Sequence, residues 1–402
     1  MLSYPASRTP SPRGAQTWRL QIAPAALLNP EYAMMDAVQR VEVRTESRPY
    51  AVEIEEGLLL RSGERIRELF PDRSRFFVIT TPPIKKHWGS GFSDALNAAT
   101  VPHQTIEIGD GERYKNLNTI EELADKLIRR GADRQSVFIA LGGGVVGDIT
   151  GFIASIYMRG VDFVQVPTTL VAQVDASIGG KTAVDLKAGK NLVGTFYHPW
   201  GVLVDPGVLS TLPEREYRSG LYEALKCGII RNPEIFTFME DQRTRILQRD
   251  PSALEWLIAE CVRVKADVVS ADEREAGLRR ILNFGHTIGH ALEAETGYKQ
   301  FLHGEAVAWG MVAASMIAAA MQRTDADTAR RIISTVLAYA PLPKVETRGK
   351  KIISRLKTDK KTTNGVVHFI LPLEIGRVEV VPDIPERAVV QAIDELRYLS
   401  QA

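Results

Sequence analysis

Apolar and polar residues alternate through QRVEVRTESRPYAVEI at 39–54, and this period of two predicts two short strands. SRFFVIT at 74–80 is a continuous apolar run of strand length. NLNTIEELADKLIRRG at 116–131 changes to helical spacing, with Asn116 and Thr119 available as caps. QSVFIALGGG at 135–144 is a strand running into glycines, and VDFVQVP at 161–167 is another that stops at Pro167. Strands alternating with helices predict a parallel sheet covered on both faces.

The texture changes near residue 211. TLPE fits a capping box, with Thr211 three residues before Glu214. From there to about residue 340 the period is nearly all helical. VVHFILPLEIGRVEVV then reads as a hairpin turning near Gly376, and IPERAVVQAIDELRYL as a closing amphipathic helix. Residues 1–34, rich in Pro, Ser, Arg and Ala, have no period and are expected to form a disordered extension. Two methionines, Met34 and Met35, stand where regular patterning begins. The expected organisation is an extension at 1–34, an α/β domain at 35–211 and a mainly helical domain at 212–402, with a site in the cleft between the last two.

At 402 residues the chain exceeds the roughly 250–300 at which single cores stop growing, in keeping with two domains. A net charge of +1 gives no overall field toward nucleic acid or a membrane surface, so neither is expected as a partner. The two cysteines, Cys227 and Cys261, make no disulfide framework and have no metal spacing, which suits a reducing cytoplasm. No secretory leader is evident. The longest apolar run, at 306–321, is shorter than the about 20 residues a membrane span needs and is expected to be a buried helix.

Three stretches carry chemistry. GGGVVGD at 142–148 contains G-x-G-x-x-G after a strand, which suits either a pyrophosphate turn or a tight strand-to-helix turn. No acidic residue follows at the usual distance in a strand context. DASIGGKT at 175–182 resembles the end of a P-loop, but Asp175 occupies the place of the first glycine, so nucleotide hydrolysis is not expected. The glycines beside Lys181 suit an anion-binding loop, with Lys190 and Asn191 following; ordinary solvated lysines are the alternative. Third, LNFGHTIGHALE at 282–293 places His286 and His290 within roughly 40° on a helix. Phe284, Ile288, Ala291 and Leu292 gather on the other side, while Gly285 and Gly289 leave the histidine side open to close approach. Such a pair can share a metal, or can sit at a surface or cap. His303 nearby and a helical Glu223 favour the metal; an exposed salt bridge to Lys226 is the alternative for Glu223.

Taken together, DGERYK, GGGVVGDITGF, YMRGVDFVQVPTTLVAQVDASIGGKT, GKNLVG, TLPEREYRSGLYEALKCG, DEREAGLRRILNFGHTIGHALEAETGY, LHGEAVAWGM and DKK occur in an order that resembles the 3-dehydroquinate synthases, sugar-phosphate cyclases of the shikimate pathway. The similarity runs from about residue 40 to 400. It implies an α/β fold in which a Rossmann-like NAD-binding domain precedes an α-helical metal-binding domain. It also implies NAD and a divalent metal, zinc or cobalt, as cofactors. Glu223, His286 and His303 are the implied metal ligands, and His290 an implied substrate and proton-transfer residue.

The implied NAD contacts are Asp110, Gly111, Glu112, Arg113, Tyr114, Lys115, Gly144, Val145, Val146, Gly147, Asp148, Thr168, Thr169, Lys181, Lys190, Val208, Leu209, Ser210 and Thr211. The implied substrate contacts are Arg159, Asp175, Lys181, Asn191, Lys226, Lys265, Arg279, Asn283 and the Lys360–Lys361 pair, with Glu275 at a further proton-transfer position. Arg279 and Lys361 suit a substrate carboxylate; Lys181, Lys226, Asn191 and Asn283 suit a phosphate. Thr81 stands where the family often has Asp or Asn, which puts the adenosine-ribose contact in question. Arg159 implies a homodimer, since in the family this arginine reaches a neighbouring subunit's site. The implied reaction is a carbon–oxygen lyase step on 3-deoxy-arabino-heptulosonate 7-phosphate, with NAD regenerated. Three other readings compete: a sister cyclase acting on a substrate without the carboxylate, a polyol dehydrogenase on a similar scaffold, and a non-catalytic cofactor-binding protein.

Overall fold

The computed structural model describes residues 38–358, 367–382 and 384–401. The extension at 1–34 and the Lys360–Lys361 pair lie outside the described residues.

Strands β1 (Gln39–Val43), β2 (Tyr50–Ile54), β3 (Phe76–Thr80), β4 (His103–Glu107), β5 (Val137–Gly142), β6 (Asp162–Pro167), β7 (Lys181–Leu186), β8 (Gly189–Phe196) and β9 (Gly201–Val204) precede the helical part. Seven of them form one sheet in the order β1-β2-β9-β6-β5-β3-β4. All its pairings are parallel except the edge pair β1–β2, so the sheet is mixed rather than purely parallel. The expected cover on both faces is present. Phe77 and Ile79 of β3 pack on one side with Leu123, Leu127 and Ile149, while Phe76 and Val78 pack on the other with Ile66, Phe92 and Leu96. After β3 the chain adds β4 at one edge, then crosses back to build β5 and β6 on the other side. The carboxyl ends of β3 and β5 therefore flank a topological switch point, where open α/β sheets form binding crevices. β5 ends there in Gly142.

Helices dominate from Glu214 on, chiefly Glu214–Ile230, Pro251–Ala271, His286–Glu295 and His303–Ala320. The last is buried nearly all round, as its unbroken apolar run predicts. Among the described residues no helix is long and apolar enough to cross a membrane. The hairpin of β10 (His368–Glu374) and β11 (Arg377–Pro382) turns at Gly376, whose φ of 92° suits glycine. The closing helix is Glu386–Leu399.

Three local expectations are corrected. Thr211 does not cap helix Glu214–Ile230, whose N-cap is Pro213. Its hydroxyl instead donates to the Val208 carbonyl and accepts from Trp88 Nε1. The stretch after Gly180 is not a loop but the antiparallel hairpin β7–β8, laid against helix Gly144–Ile156. Phe284 and Gly285 precede helix His286–Glu295 rather than belonging to it, with Gly285 in the left-handed region as its N-cap. What approaches the glycines is protein. A Cβ on Gly285 would lie 2.7 Å from the Val307 carbonyl oxygen, and one on Gly289 would lie 2.9 Å from that of Ala306. The glycines set helices His286–Glu295 and His303–Ala320 close together.

Candidate functional site

That close approach positions the histidines. His286 opens one helix and His303 opens the next, so both rings project from helix starts into one space. His286, His290 and His303 each present a ring nitrogen within 4.8 Å of the others. Glu223, on helix Glu214–Ile230, meets this group from below. Its Oε1 is 3.8 Å from His286 Nε2 and 3.6 Å from His303 Nε2. Donors on a tetrahedral zinc stand about 3.3 Å apart, given metal bonds of about 2.0–2.1 Å. Two donor sets are thus geometrically possible, sharing His286 and His303 and completed by either His290 or Glu223.

Burial distinguishes them. Glu223 is fully buried, and its Oε1 has no hydrogen-bond partner. Lys226 Nζ meets the other oxygen, Oε2, at 2.5 Å. A buried carboxylate oxygen without a donor calls for a cation. Burial, with Lys226 and the two other histidines nearby, holds the His286 imidazole well below its ordinary pKa, so it stays a neutral donor. His286 Nδ1 bonds the Phe284 carbonyl at 3.0 Å and His303 Nδ1 approaches Glu293 Oε2 at 3.3 Å. Both rings therefore turn Nε2 toward Glu223, as imidazole ligands with fixed tautomers do. The donor set Glu223, His286 and His303 fits a divalent metal, with His290 beside it.

Next to Glu223 lies a cationic group. Lys265 Nζ reaches Asp175 Oδ1 at 2.5 Å, and Lys226 Nζ stands 3.9 Å from the same oxygen. Burial works against the Asp175 carboxylate, but the two lysines outweigh it and hold its carboxyl well below the usual range. Burial also works against the Lys226 ammonium, yet Glu223 and Asp175 raise it. For Lys265 burial wins and lowers it.

A second group lies on the segment 272–283, a loop that runs into the short 3-10 helix Leu278–Asn283. Glu275, with a left-handed φ of 60°, pairs with Lys181 and accepts from Asn283 Nδ2 at 2.7 Å. Arg279 is buried. Its guanidinium donates to the Gly179 carbonyl at 2.9 Å and to the Glu273 carbonyl at 2.5 Å. The glycines 179 and 180 work differently from an anion cradle. The Gly179 N–H donates to the Tyr50 hydroxyl, and a Cβ on Gly180 would lie 2.7 Å from the His198 ring.

The strand-to-helix turn forms the third group. Helix Gly144–Ile156 starts after Gly143 with no side-chain cap, leaving its first N–H groups for an anion. A Cβ on Gly147 would lie 2.6 Å from the Gln165 side chain of β6, so this glycine serves helix–sheet packing. Asp148, the fifth residue of the helix, pairs with Lys115, which also donates to Asn191 Oδ1 at 2.6 Å. Nearby Thr168, like Thr81, has a buried hydroxyl without a partner. An uncapped helix start, a glycine turn and an unsatisfied hydroxyl at a switch point fit a dinucleotide phosphate. Lys190 stands 3.2 Å from Glu112 and 3.6 Å from Glu293.

Some expected residues are not drawn in. Arg159 is exposed, with a left-handed φ of 73°. Val208 and Leu209 are core residues, while Ser210 and Thr211 are exposed. Asp110, Gly111 and Arg113 are exposed beside the half-buried Tyr114. Glu293 and Glu273, which no motif marks in the sequence, also face these groups. Glu293 follows His290 by three residues, a helical neighbour spacing that could have pointed to it.

Known proteins carry the same framework. Residues 105–219 match the family described as 3-dehydroquinate synthase N-terminal, and 220–362 the one described as 3-dehydroquinate synthase C-terminal. The 3-dehydroquinate synthase of Koribacter versatilis (strain Ellin345) is 64% identical over 363 residues, covering 90% of this chain and 99% of that one. Among solved structures, the 2-epi-5-epi-valiolone synthase ValA from Streptomyces hygroscopicus subsp. jinggangensis 5008, with NAD+ and Zn2+ bound, superposes with a TM-score of 0.80. It is 28% identical, over 90% of this chain and 99% of that chain. A 2-deoxy-scyllo-inosose synthase complexed with carbaglucose-6-phosphate, NAD+ and Co2+ gives 0.79 at 27% identity, over 89% and 99%. With both halves matched in order and nearly the whole length aligned to a curated relative, the chain belongs to the 3-dehydroquinate synthase family.

Proposed function

We propose that the protein is a carbon–oxygen lyase that converts 3-deoxy-arabino-heptulosonate 7-phosphate to 3-dehydroquinate and phosphate. The observation that carries this is 64% identity across 99% of a 3-dehydroquinate synthase. NAD and a divalent metal, zinc or cobalt, are its cofactors. When bound, NAD+ accepts and returns a hydride at one ring carbon, and the metal polarises the oxygen on that carbon.

The chain's own residues do the rest. Glu223, His286 and His303 hold the metal. The glycine turn, the start of helix Gly144–Ile156 and Lys190 bind the dinucleotide, with Lys115 and Asp148 braced behind them. Lys226, Lys265 and Asp175 orient the polar face of the substrate. Buried ammonium groups already paired with carboxylates need little rearrangement to bind it. Arg279 meets the substrate carboxylate, and Lys181 and Asn283 lie beside it near the phosphate. His290 and Glu275 are the proton carriers. Elimination of phosphate removes the proton next to the new ketone, and ring opening and aldol closure then shift protons between oxygens. The protein acts as a cytoplasmic homodimer, with Arg159 completing the partner subunit's site.

The test is phosphate release by the metal-loaded protein from the heptulosonate phosphate, followed together with NADH absorbance. The expected result is phosphate and dehydroquinate with no accumulation of NADH. Stoichiometric NADH would favour the polyol dehydrogenase. Faster turnover of sedoheptulose 7-phosphate, which lacks the carboxylate, would favour the sister cyclases.

A further inference from the structure

Glu293 is buried, and its two oxygens face opposite ways. Oε2 stands 3.3 Å from His303 Nδ1, and Oε1 stands 3.6 Å from Lys190 Nζ. Lys190 is itself shared. It also meets Glu112 Oε1 at 3.2 Å and lies 4.8 Å above the Tyr298 ring. The carboxylate thus stands between an imidazole whose other nitrogen faces Glu223 and an ammonium that it shares with Glu112. Its burial means that neither partner can be replaced by water without loss.

We propose that Glu293 is a positioning residue that couples the metal site to the dinucleotide site. It rests on the functional reading above, in which His303 holds the metal and Lys190 binds the dinucleotide. By accepting from Nδ1–H, Glu293 fixes the His303 tautomer and turns Nε2 toward Glu223. A carboxylate in that place strengthens the imidazole as a ligand. Lys190 divides its charge between Glu293 and Glu112. An anionic pyrophosphate draws the ammonium toward itself and leaves more of the Glu293 charge to His303. Dinucleotide binding therefore tightens the metal, and by reciprocity the metal tightens the dinucleotide by the same factor.

The experiment measures binding, not turnover. Cobalt affinity is found by chelator competition, with and without NAD+, and the cobalt absorption spectrum is recorded. Wild type is compared with Glu293→Gln and Lys190→Met, with folding checked by circular dichroism and thermal melting. Glu293→Asp keeps the charge at a shorter reach and guards against a folding defect in the first variant. In wild type NAD+ should tighten cobalt at least fivefold. Glu293→Gln should weaken cobalt by about ten- to a hundredfold, alter its spectrum, and reduce the NAD+ effect to less than twofold. Glu293→Asp should recover part of the affinity. Lys190→Met leaves the whole Glu293 charge to His303, so its cobalt affinity should already match that of NAD+-bound wild type and should not rise further at NAD+ concentrations shown by titration to saturate it, which separates coupling from ligand support. Folded Glu293→Gln with wild-type affinity and spectrum would overturn the inference, as would a wild type whose cobalt affinity ignores NAD+. A wild-type protein that took up neither cobalt nor NAD+ would instead overturn the functional reading on which the inference stands.

Discussion

Arg279 and Gly179 meet at 2.9 Å, guanidinium Nη2 to carbonyl oxygen, across 100 residues of chain. A Cβ at Gly179 would fall 2.3 Å from that same nitrogen, so the contact needs a glycine as well as an arginine. On the proposed reading Arg279→Ala removes a charge-assisted contact to the substrate carboxylate, and it leaves two backbone carbonyls without their donor. It should lower kcat/KM by roughly ten- to a hundredfold, or about 1.5–3 kcal/mol. It should also lower the melting temperature, while NAD and metal binding stay near wild type. Arg280→Ala, at the less buried neighbour, should change neither. Equal and small losses in the two variants would exclude the carboxylate role.

The metal set yields a second expectation. His303→Ala and Glu223→Gln should each lose bound metal and lower activity by more than about a hundredfold, since on the proposed reading each removes a ligand rather than its support. Chelation of wild type should abolish activity, and zinc or cobalt should restore it. Full activity in metal-free His303→Ala would sink the assignment of these ligands.

Acid stability follows from His198. It is buried, and burial lowers its imidazole pKa more than Glu273 raises it. The unfolded chain then takes up the proton first as pH falls through about 6.5, so stability should decline from there downward. Glu273 is pushed up by burial but held lower overall by the Ser47 hydroxyl, the Glu46 amide and His198. Its contribution is present above about 4.3 and is lost as pH falls through the folded value. Melting temperature against pH should therefore be shallower for His198→Gln between about 6.5 and 5. Superimposable profiles would remove His198 from the explanation.

Gly310 is the tightest of the helix contacts. A Cβ there would lie 1.8 Å from the Gly285 carbonyl oxygen, which is backbone and cannot turn aside. Gly310→Ala should cost at least the upper end of about 1–3 kcal/mol. Because Gly285 caps the helix that His286 opens, metal affinity should fall with stability. An alanine variant with wild-type melting and metal affinity would show that the two helices can separate without consequence.

The strands and helices were largely legible because each depends on neighbours in sequence. The alternation at 39–54, the stop at Pro167 and the turn at Gly376 are local chemistry, and the structure follows them. Thr211 misled because its hydroxyl satisfied a nearer carbonyl and an indole from residue 88. The β7–β8 hairpin was missed because its pairing is supported by helix Gly144–Ile156 rather than by a strong alternation of its own.

The order of elements, the histidine pair at a four-residue spacing, the glycine turn at the end of a strand and, through the linked blocks, the family are all written in the linear chain. Tertiary structure alone decided what faces what. Glycines that read as room for a ligand turned out to be room for a helix and for the Arg279 side chain. Glu223 and His303 lie 80 residues apart in sequence, yet their polar atoms stand 3.6 Å apart. Glu293 became visible only when both its oxygens had partners. Sequence periodicity records which face of an element is buried, because burial acts on each element separately. The partner of a buried charge is set by packing between elements, and single-residue periodicity carries no trace of it.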